Sequence, residues 1–289
     1  MKYKTLNEHY KEKFGCKVYK LSIDASLSCP NRDGTIGSKG CIFCSESGSG
    51  EFAVCGNDVL LQLEKAKEKV SRKIKDGKYI AYFQSFTNTY ADIDTLRKLY
   101  TAALSPDYIV GLAIATRPDC LQEEVIYLLS ELNAIKPISV ELGLQTASDK
   151  TAQYIRRGYE TKVYVDAVKR LKNAGLEVVT HIILGLPDET AEMMEETTKT
   201  VIAAGSDGVK FHLLYVVKGT DLEKDYNDGK FECLTLEEYA RCLKRCMTHI
   251  KSDTVVHRIT GDGKKSELVA PLWSADKKRV LNFLNNYLK

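Results

Sequence analysis

The sequence predicts an α/β fold, a partial (β/α)6 barrel of the TIM type with parallel strands, helices outside and short N- and C-terminal extensions. Apolar, β-branched runs of strand length alternate with longer charged segments of helical spacing, and no Pro- or Ser-rich linker interrupts them. This alternation is typical of a parallel sheet whose outer face is covered by helices. The predicted strands are KVYKLSID (17–24), YIAYFQ (79–84), YIVGLAIA (108–115), ISVELGL (138–144), EVVTHIILG (177–185) and GVKFHLLY (208–215).

Helices are predicted between these strands, near residues 57–76, 92–104, 121–133, 161–174 and 189–204. The fourth ends in a C-cap signal, Asn173-Ala174-Gly175. The segment TLEEYARCLKRCMTHI predicts another helix after the last strand. An apolar face on the first helix is formed by Leu60, Leu63, Ala66 and Val70. We expect a barrel with its N-terminal extension over residues 1–253 and an extension over 254–289 that packs on it.

Composition places the chain among ordinary globular proteins. It has 289 residues, of which 44% are apolar and 28% charged, and a net charge of +3, too small by itself to indicate nucleic-acid binding. The N-terminus lacks the apolar core of a signal peptide, and no apolar run approaches the ~18 residues of a membrane span. Nine cysteines without a secretion signal favour a reducing compartment. We therefore expect a cytoplasmic protein without a membrane segment.

Polar residues follow most of the predicted strands, at the ends that form the active face of a β/α barrel. Glu141 and His181 lie inside apolar runs rather than after them, and an unpartnered buried carboxylate or imidazole is costly. An inward-facing polar site accounts for both. The other strand-end segments are Gln84-Ser85-Phe86-Thr87-Asn88, Thr116-Arg117-Pro118-Asp119, Gln145, and His181 to Pro187.

Three cysteines, Cys29, Cys41 and Cys44, lie within sixteen residues in CPNRDGTIGSKGCIFC. A closed zinc site takes four ligands, and no further His or Cys follows at finger spacing; zinc stays an alternative that lacks a ligand. A thioredoxin-like CxxC is a second alternative, but it leaves Cys29 unexplained. Three thiolates on a 4Fe–4S cluster leave one iron open to an outside ligand. That arrangement is the working centre of radical S-adenosylmethionine (radical SAM) enzymes.

The chain resembles radical SAM proteins of the YhcC/YtqA type, which are similar to the radical domain of the Elongator catalytic subunit. The resemblance runs in order from about residue 14 to 273. It implies a 4Fe–4S cluster, S-adenosylmethionine as cofactor and a flavodoxin- or ferredoxin-type electron donor. The matching stretches are CPNRDGTIGSKGCIFC, AYFQSFTNTYA, GLAIATRPDC, VELGLQT, RRGY, HIILGLPDET, VKFHLLYVVKGT and LVAPLW.

The resemblance implies roles for individual residues, each with a plain core or capping role as the alternative. Cys29, Cys41 and Cys44 become cluster ligands, and Phe43 resembles the aromatic that packs on the cofactor adenine. Arg157 is similar to an arginine that meets the cofactor carboxylate, which a bidentate guanidinium suits. The other implied cofactor contacts are Gln84 and Thr87, in place of the usual Gly-Gly-Glu segment, Thr116, Arg117, Glu141 and Gln145 near the ribose and methionine, and the backbone around His181, Ile183 and Leu184.

The sixth strand carries the substrate-side candidates. Alternation places Lys210, His212 and Leu214 on one face, opposite Phe211, Leu213 and Tyr215. If the first face points inward, Lys210 and His212 are candidate catalytic residues; a hydrogen-bonded barrel histidine is the alternative. Roles beyond packing for Cys233, Cys242, Cys246 and the segment HRITGDGKKSELVAPLW stay open.

The leading hypothesis for the substrate is tRNA, since the Elongator resemblance implies chemistry at or next to C5 of a wobble uridine. In Gram-positive relatives, the resemblance implies processing of a carboxymethylaminomethyl group on uridine towards aminomethyl or methylaminomethyl. A radical enzyme acting on a small molecule such as a tetrapyrrole precursor, and a non-catalytic metal-binding protein, are the alternatives. Positive charge for RNA is expected around the fourth and fifth units from Arg156, Arg157, Lys162, Lys169, Arg170 and Lys172.

Overall fold

The computed structural model describes residues 3–48, 50, 52–71, 77–261 and 263–289. Eight of the described strands form one all-parallel sheet, in the spatial order first, ninth, seventh, sixth, fifth, fourth, third and second. The remaining two pair antiparallel. The strands are β1 (Lys4–Thr5), β2 (Val18–Ile23), β3 (Lys78–Phe83), β4 (Ile109–Thr116), β5 (Ile138–Gln145), β6 (Glu177–Leu184), β7 (Gly208–Leu213), β8 (Val216–Val217), β9 (Val255–Arg258) and β10 (Leu268–Ala270).

Helices connect these strands. Together they make a half-barrel that is open between β1 and β2. None of the helices among the described residues is long and apolar enough to cross a membrane. The helices are α1 (Leu6–Phe14), α2 (Val59–Ser71), α3 (Ile93–Leu104), α4 (Glu123–Asn133), α5 (Asp149–Tyr154), α6 (Thr161–Asn173), α7 (Ala191–Ala204), α8 (Asp221–Asn227), α9 (Leu236–Met247) and α10 (Lys277–Tyr287).

The predicted α/β half-barrel is confirmed, with more strands than expected. All six predicted strands and five helices are present to within about two residues; positions 72–76 of the first predicted helix lie outside the described residues. The two short strands β1 and β9 extend the sheet to eight strands. Since β9 belongs to the sheet, residues 254–289 do more than pack on the barrel. The boundary between 253 and 254 stays a prediction.

The apolar face predicted for α2 is partly wrong. Leu63 and Ala66 are buried as expected, but Leu60 is 42% exposed. The polar Gln62 is buried instead, because its side chain accepts from the amide of Asp24 (2.8 Å) and donates to the carbonyl of Gly56 (2.6 Å). A side chain that satisfies neighbouring backbone groups can thus take a position that hydrophobic periodicity assigns to an apolar residue.

The two faces of the sheet are chemically different. Val140, Leu142 and Leu144 pack into the apolar core under the outer helices, while Glu141 lines the opposite, inner side. This follows from the alternation of side chains along a strand. The inner side therefore holds the polar residues that interrupt the predicted apolar runs.

Helix α1 closes part of the inner side. Tyr10 packs against Val18 and Tyr82 on the inner faces of β2 and β3. From the same helix, Lys13 Nζ lies 2.6 Å from Glu177, the first residue of β6, and His9 lies 3.7 Å from it. Helix α1 is thus held to strands on both sides of the half-barrel.

Replacing Glu177 by Gln is expected to lower the free energy of unfolding by about 1–3 kcal/mol at pH 7. Burial alone raises the pKa of Glu177, but His9 and Lys13 outweigh it and lower the pKa from 4.5 to about 2. The stabilisation is therefore complete above about pH 4.5 and is lost as the pH falls towards 2. Urea unfolding at pH 7 and pH 3 should show the difference between wild type and variant shrinking. The exposed Glu12 of α1 gives the control, Glu12→Gln; equal losses in both variants contradict the assignment.

Candidate active site

The inner side of the half-barrel contains a cavity of about 790 Å³. That volume lies in the range of sites for small molecules and cofactors. Leu184 is the one predicted site residue outside it, because its side chain packs in the outer core and its carbonyl accepts from the amide of Leu214. The predicted residues that line the cavity are Cys29, Cys41, Phe43, Cys44, Gln84, Thr87, Thr116, Arg117, Glu141, Gln145, Arg157, His181, Ile183, Lys210 and His212.

The three-cysteine loop is wrapped tightly around Asn31 and Arg32. Gly40 donates its amide to the carbonyl of Asn31 (2.7 Å) and has φ +72°. A Cβ on Gly40 would lie 2.9 Å from Arg32 Nε, so glycine is needed there for space as well as for backbone conformation. Arg32 in turn donates to the carbonyls of Cys44 (3.0 Å) and Ser45 (2.5 Å). The loop therefore holds Cys44 in position through backbone carbonyls.

The three thiols fit an iron–sulfur cluster better than either alternative. A redox-active CxxC uses two cysteines, but Cys29 lines the same cavity as Cys41 and Cys44 and would have no role in it. No three His, Cys, Asp or Glu side chains among the described residues converge for a single metal ion. A cubane binds each thiolate to a different iron and needs no such convergence. Asn31 supports the site, since its Nδ2 lies 3.5 Å from Cys41 Sγ and donates to the carbonyl of Arg156 (2.6 Å).

Glu141 lies at the centre of a buried charge network on the inner wall. Its Oε1 accepts from Lys20 of β2, and its Oε2 accepts from Lys210 of β7. His181 Nε2 of β6 lies 2.9 Å from the same Oε2. Both lysines also lie over the ring of Tyr82, at 4.9 and 4.7 Å. The carboxylate that the sequence placed in an apolar run is therefore fully partnered, and we correct its predicted contact with the cofactor to a role in this network.

Burial and charge set the protonation of this network. Burial alone raises the pKa of Glu141, but Lys20 and Lys210 outweigh it and hold that pKa well below its usual value. Burial, aided by Lys20 and Arg258, lowers the pKa of Lys210 to about 7 despite the contact with Glu141. Burial and Lys210 lower the pKa of His181 to about 4. Near neutral pH, Glu141 is ionised and His181 is neutral, while Lys210 loses its proton more readily than an ordinary lysine.

Arg157 does not have the free guanidinium that cofactor binding requires. Its N–H groups donate to the carbonyls of Leu144 (2.9 Å), Thr146 (2.5 Å) and Tyr159 (2.8 Å), and to side chains at the starts of α5 and α6. The side chain is 2% exposed. We therefore correct its predicted contact with the cofactor carboxylate to a supporting role at the end of β5.

Tyr159 lies between two arginines beside the cavity. The guanidinium of Arg117 is 5.0 Å and that of Arg157 4.5 Å from the centre of its ring, and its hydroxyl donates to the carbonyl of Gly143. Arg117 is paired with Asp119 through two hydrogen bonds, of 2.9 and 2.7 Å. These contacts fix the strand ends of β4 and β5 relative to each other.

Gln145 has an unsatisfied group at the same strand end. It adopts φ +64°, which is uncommon for a residue with a side chain, and its buried Oε1 has no hydrogen-bond partner within the described part of the chain. A buried acceptor left unpaired costs free energy, so a donor from a bound molecule fits here. By contrast, the hydroxyl of Thr116 lies 2.5 Å from that of Thr89, and Thr87 is buried.

The inward face predicted for β7 is confirmed for Lys210 and His212. Phe211 packs in the outer core, as alternation requires. Tyr215 was predicted on that outer face but lines the cavity, because β7 ends at Leu213 and the alternation ends with it.

The expected basic surface around the fourth and fifth units is largely neutralised. Arg156 pairs with Asp221 at 2.6 Å, and Arg157 is buried beside Asp149. On α6 and next to it the remaining cations also have acidic partners, except Lys169: the pairs are Lys162–Glu160, Arg170–Glu123 and Lys172–Asp207. The prediction that these residues form an RNA-binding patch is therefore not supported by their contacts.

Sequence reasoning did not assign a role to many residues that line the cavity. Five of them are Lys20, Tyr82, Tyr159, His257 and Arg258. Their signals differ: Lys20 interrupts an apolar strand as Glu141 does, and Tyr159 follows the two arginines of RRGY. His257 and Arg258 belong to the segment whose role stayed open, because β9 has only four residues and carries no periodic signal.

Family models match most of this chain. The model of the radical SAM superfamily matches residues 32–201, and the model of the radical SAM C-terminal domain matches residues 206–289. The chain belongs to the radical SAM superfamily. Its cofactors are those of the family, a 4Fe–4S cluster and S-adenosylmethionine, and the residues that line the cavity are consistent with both.

Full-length relatives of this radical SAM protein include two bacterial proteins. It is 45% identical to the uncharacterized protein YtqA of Bacillus subtilis over 291 residues, which covers 100% of this chain and 90% of YtqA. It is 36% identical to protein YhcC of Escherichia coli over 277 residues, 96% of this chain and 89% of YhcC. These matches confirm the resemblance that the motifs indicated.

More distant matches concern part of larger proteins. Over 132 residues the chain is 31% identical to a tRNA uridine(34) acetyltransferase of Methanocaldococcus infernus, covering 45% of this chain and 24% of that protein. The solved structure of Elp3 from the same organism has the same fold, with a TM-score of 0.69 at 19% identity. That match covers 93% of this chain and 63% of the solved Elp3 chain, which lacks its N-terminal residues 1–46.

Replacing Glu141 by Gln is expected to lower the free energy of unfolding by about 3–5 kcal/mol, because it leaves two buried lysines without a counter-charge. Glu131→Gln is the matched control, since Glu131 pairs with Arg97 at 2.8 Å on the surface and an exposed pair contributes little. Urea unfolding of the three proteins at pH 7 measures both effects. Equal stability of the two variants contradicts a central role for Glu141.

Proposed function

We propose that this radical SAM enzyme modifies the C5 substituent of a tRNA wobble uridine, converting carboxymethylaminomethyl towards aminomethyl or methylaminomethyl. The observation that carries the tRNA proposal is the 31% identity to a tRNA uridine(34) acetyltransferase over 132 residues. The fold shared with Elp3 is consistent with it. Since this chain spans only part of both proteins, their overall reaction is not transferred to it.

The residues of the cavity divide into two groups in this proposal. Cys29, Cys41 and Cys44 hold the cluster. Bound together, the cluster and S-adenosylmethionine supply a carbon-centred radical that takes a hydrogen atom from the substrate. The residues that we assign to S-adenosylmethionine are Phe43, Gln84, Thr87, Thr116, Arg117, Gln145, Ile183 and the backbone at His181.

Lys210 and His212 are the proposed substrate-side residues. With a pKa near 7, Lys210 can hold or release a proton at Nζ under ordinary conditions, which suits general acid–base work. Glu141 orients the ammonium through Oε2. The ring of His212 lies 5.1 Å from that of His181, tilted by 30°, so the two imidazoles form one wall beside Lys210. Enclosure by these side chains limits the access of water to a reactive intermediate.

Two further assignments belong to the same proposal. A flavodoxin- or ferredoxin-type protein supplies the electron, and the enzyme works in the cytoplasm. The odd number of cysteines, nine, is consistent with a reducing compartment.

Anaerobic reconstitution with iron and sulfide, followed by dithionite reduction with S-adenosylmethionine, is expected to yield 5′-deoxyadenosine from the wild type. Cys41→Ala should lose cluster absorbance and product together, because it removes a cluster ligand. Cys55→Ala is the matched control, since Cys55 is an exposed cysteine outside the cavity. Chromatographic assay of 5′-deoxyadenosine measures the outcome.

Bulk tRNA from a strain lacking the gene is expected to stimulate product formation and to lose its carboxymethylaminomethyl uridine. Mass spectrometry of the digested nucleosides detects that loss. If 5′-deoxyadenosine forms equally with and without tRNA and the nucleoside profile is unchanged, the substrate is not tRNA. The radical function itself then stands and the small-molecule alternative replaces the tRNA proposal.

A further inference from the structure

The cavity carries more positive than negative charge. Among the described residues that line it, Glu141 is the single acidic side chain. Both of its oxygens are already bonded to Lys20, Lys210 and His181. Arg117 and Arg157 are matched by acids just outside the cavity. The charge of Arg258, by contrast, has no acidic partner in any ion pair of the described chain.

Neutral donors without partners among the described residues line the same cavity as Arg258. Neither ring nitrogen of His257 has a hydrogen-bond partner in the described part of the molecule, and His212 Nε2 also has none. Burial is the main cause that lowers the pKa of both rings well below the usual value, so each is neutral and can donate one N–H. A Cβ on Gly208 would lie 2.8 Å from His257 Nε2, so the imidazole lies directly against the backbone of β7.

Arg258 lines two neighbouring cavities. A second cavity of about 530 Å³ lies at the open side of the half-barrel, between α1, β2, β9 and α10. Tyr10, Tyr19, His257 and Arg258 line both cavities. Arg258 is exposed and pairs in the sheet with Lys210. Arg258 therefore lies where the two cavities meet, next to Lys210 of β7.

We propose that Arg258, with His257, binds a carboxylate of the substrate at the open side of the half-barrel. The forked N–H donors of Arg258 match the two oxygens of a carboxylate, and His257, whose ring nitrogens have no partner among the described residues, lines the same cavity as a further donor. Such an anion supplies a counter-charge for Arg258. The inference rests on the proposed function, in which the uridine substituent carries a carboxylate before the reaction and not after it. Arg258 is thus a specificity residue that distinguishes the substrate from the product.

A backbone phosphate is the other anion with matching chemistry. We favour the carboxylate because Arg258 adjoins Lys210 and His257 adjoins Gly208 of β7, beside the proposed reacting groups. The carboxylate of S-adenosylmethionine is a third anion in the enzyme. We assign that carboxylate to the cofactor site at the three-cysteine loop, and the binding of S-adenosylmethionine by an Arg258 variant separates the two assignments.

The test measures binding of nucleosides to the reconstituted, unreduced enzyme with S-adenosylmethionine bound. The wild type should bind 5-carboxymethylaminomethyluridine at least about tenfold more tightly than 5-aminomethyluridine, the gain expected from a charged hydrogen-bonded pair. Arg258→Gln should abolish that preference and Arg258→Lys should restore part of it. Lys17→Gln, which changes a cation that lines only the outer cavity, should keep it. Circular dichroism and cluster absorbance establish that each variant is folded and loaded.

Several outcomes overturn the inference. They are a wild type without preference for the carboxylated nucleoside, a preference that survives in Arg258→Gln, and an equal loss for both nucleosides. If Arg258→Gln binds S-adenosylmethionine more weakly, Arg258 is a cofactor-binding residue instead. If the variant loses affinity for uridine 5′-monophosphate by the same factor as for the carboxylated nucleoside, Arg258 is a phosphate-binding residue. Because no turnover is needed, this result is independent of whether tRNA stimulates 5′-deoxyadenosine formation. A nucleoside preference without tRNA stimulation leaves the carboxylate site standing and removes the tRNA proposal.

Discussion

The ion network around Glu141 is the constraint on which the inner side of the half-barrel depends. One carboxylate joins Lys20 of β2, His181 of β6 and Lys210 of β7, and so connects strands far apart in the sheet order. Each charge is tolerable inside the protein only because the others are present. The same network influences the pKa of Lys210. The contacts that stabilise the inner side of the half-barrel therefore also affect the proposed acid–base residue.

The outer half of the fold was predictable because it follows simple periodicity. Strands such as β5 and helices such as α6 carry apolar residues at the spacing their geometry needs, and Gly175 ends α6 with φ +74° as its C-cap signal indicated. The strands β1 and β9 were not predictable, because two and four residues carry too little pattern. They form because neighbouring strands of the sheet supply their hydrogen-bond partners.

The site was predictable where residue type and position along the chain indicate the chemistry. The cysteine spacing indicated the cluster, and Glu141 indicated an inward polar wall. What sequence could not supply is the partner of each polar group: Arg157 resembles a ligand-binding arginine, yet its donors are used by the backbone of its own loop. A search for the cation that a buried carboxylate requires would have found Lys20, which is the one lysine inside the first long strand.

The placement of β9 between β1 and β7 has a consequence for the order in which the chain can assemble. Strand β1 contains residues 4 and 5, and its partner strand contains residues 255 and 256. During synthesis on the ribosome, β1 therefore cannot pair with β9 until most of the chain has been made. The contacts of Glu141 with Lys20 and Lys210 need only the first 210 residues, so the charged centre of the protein can form while its edge is still incomplete.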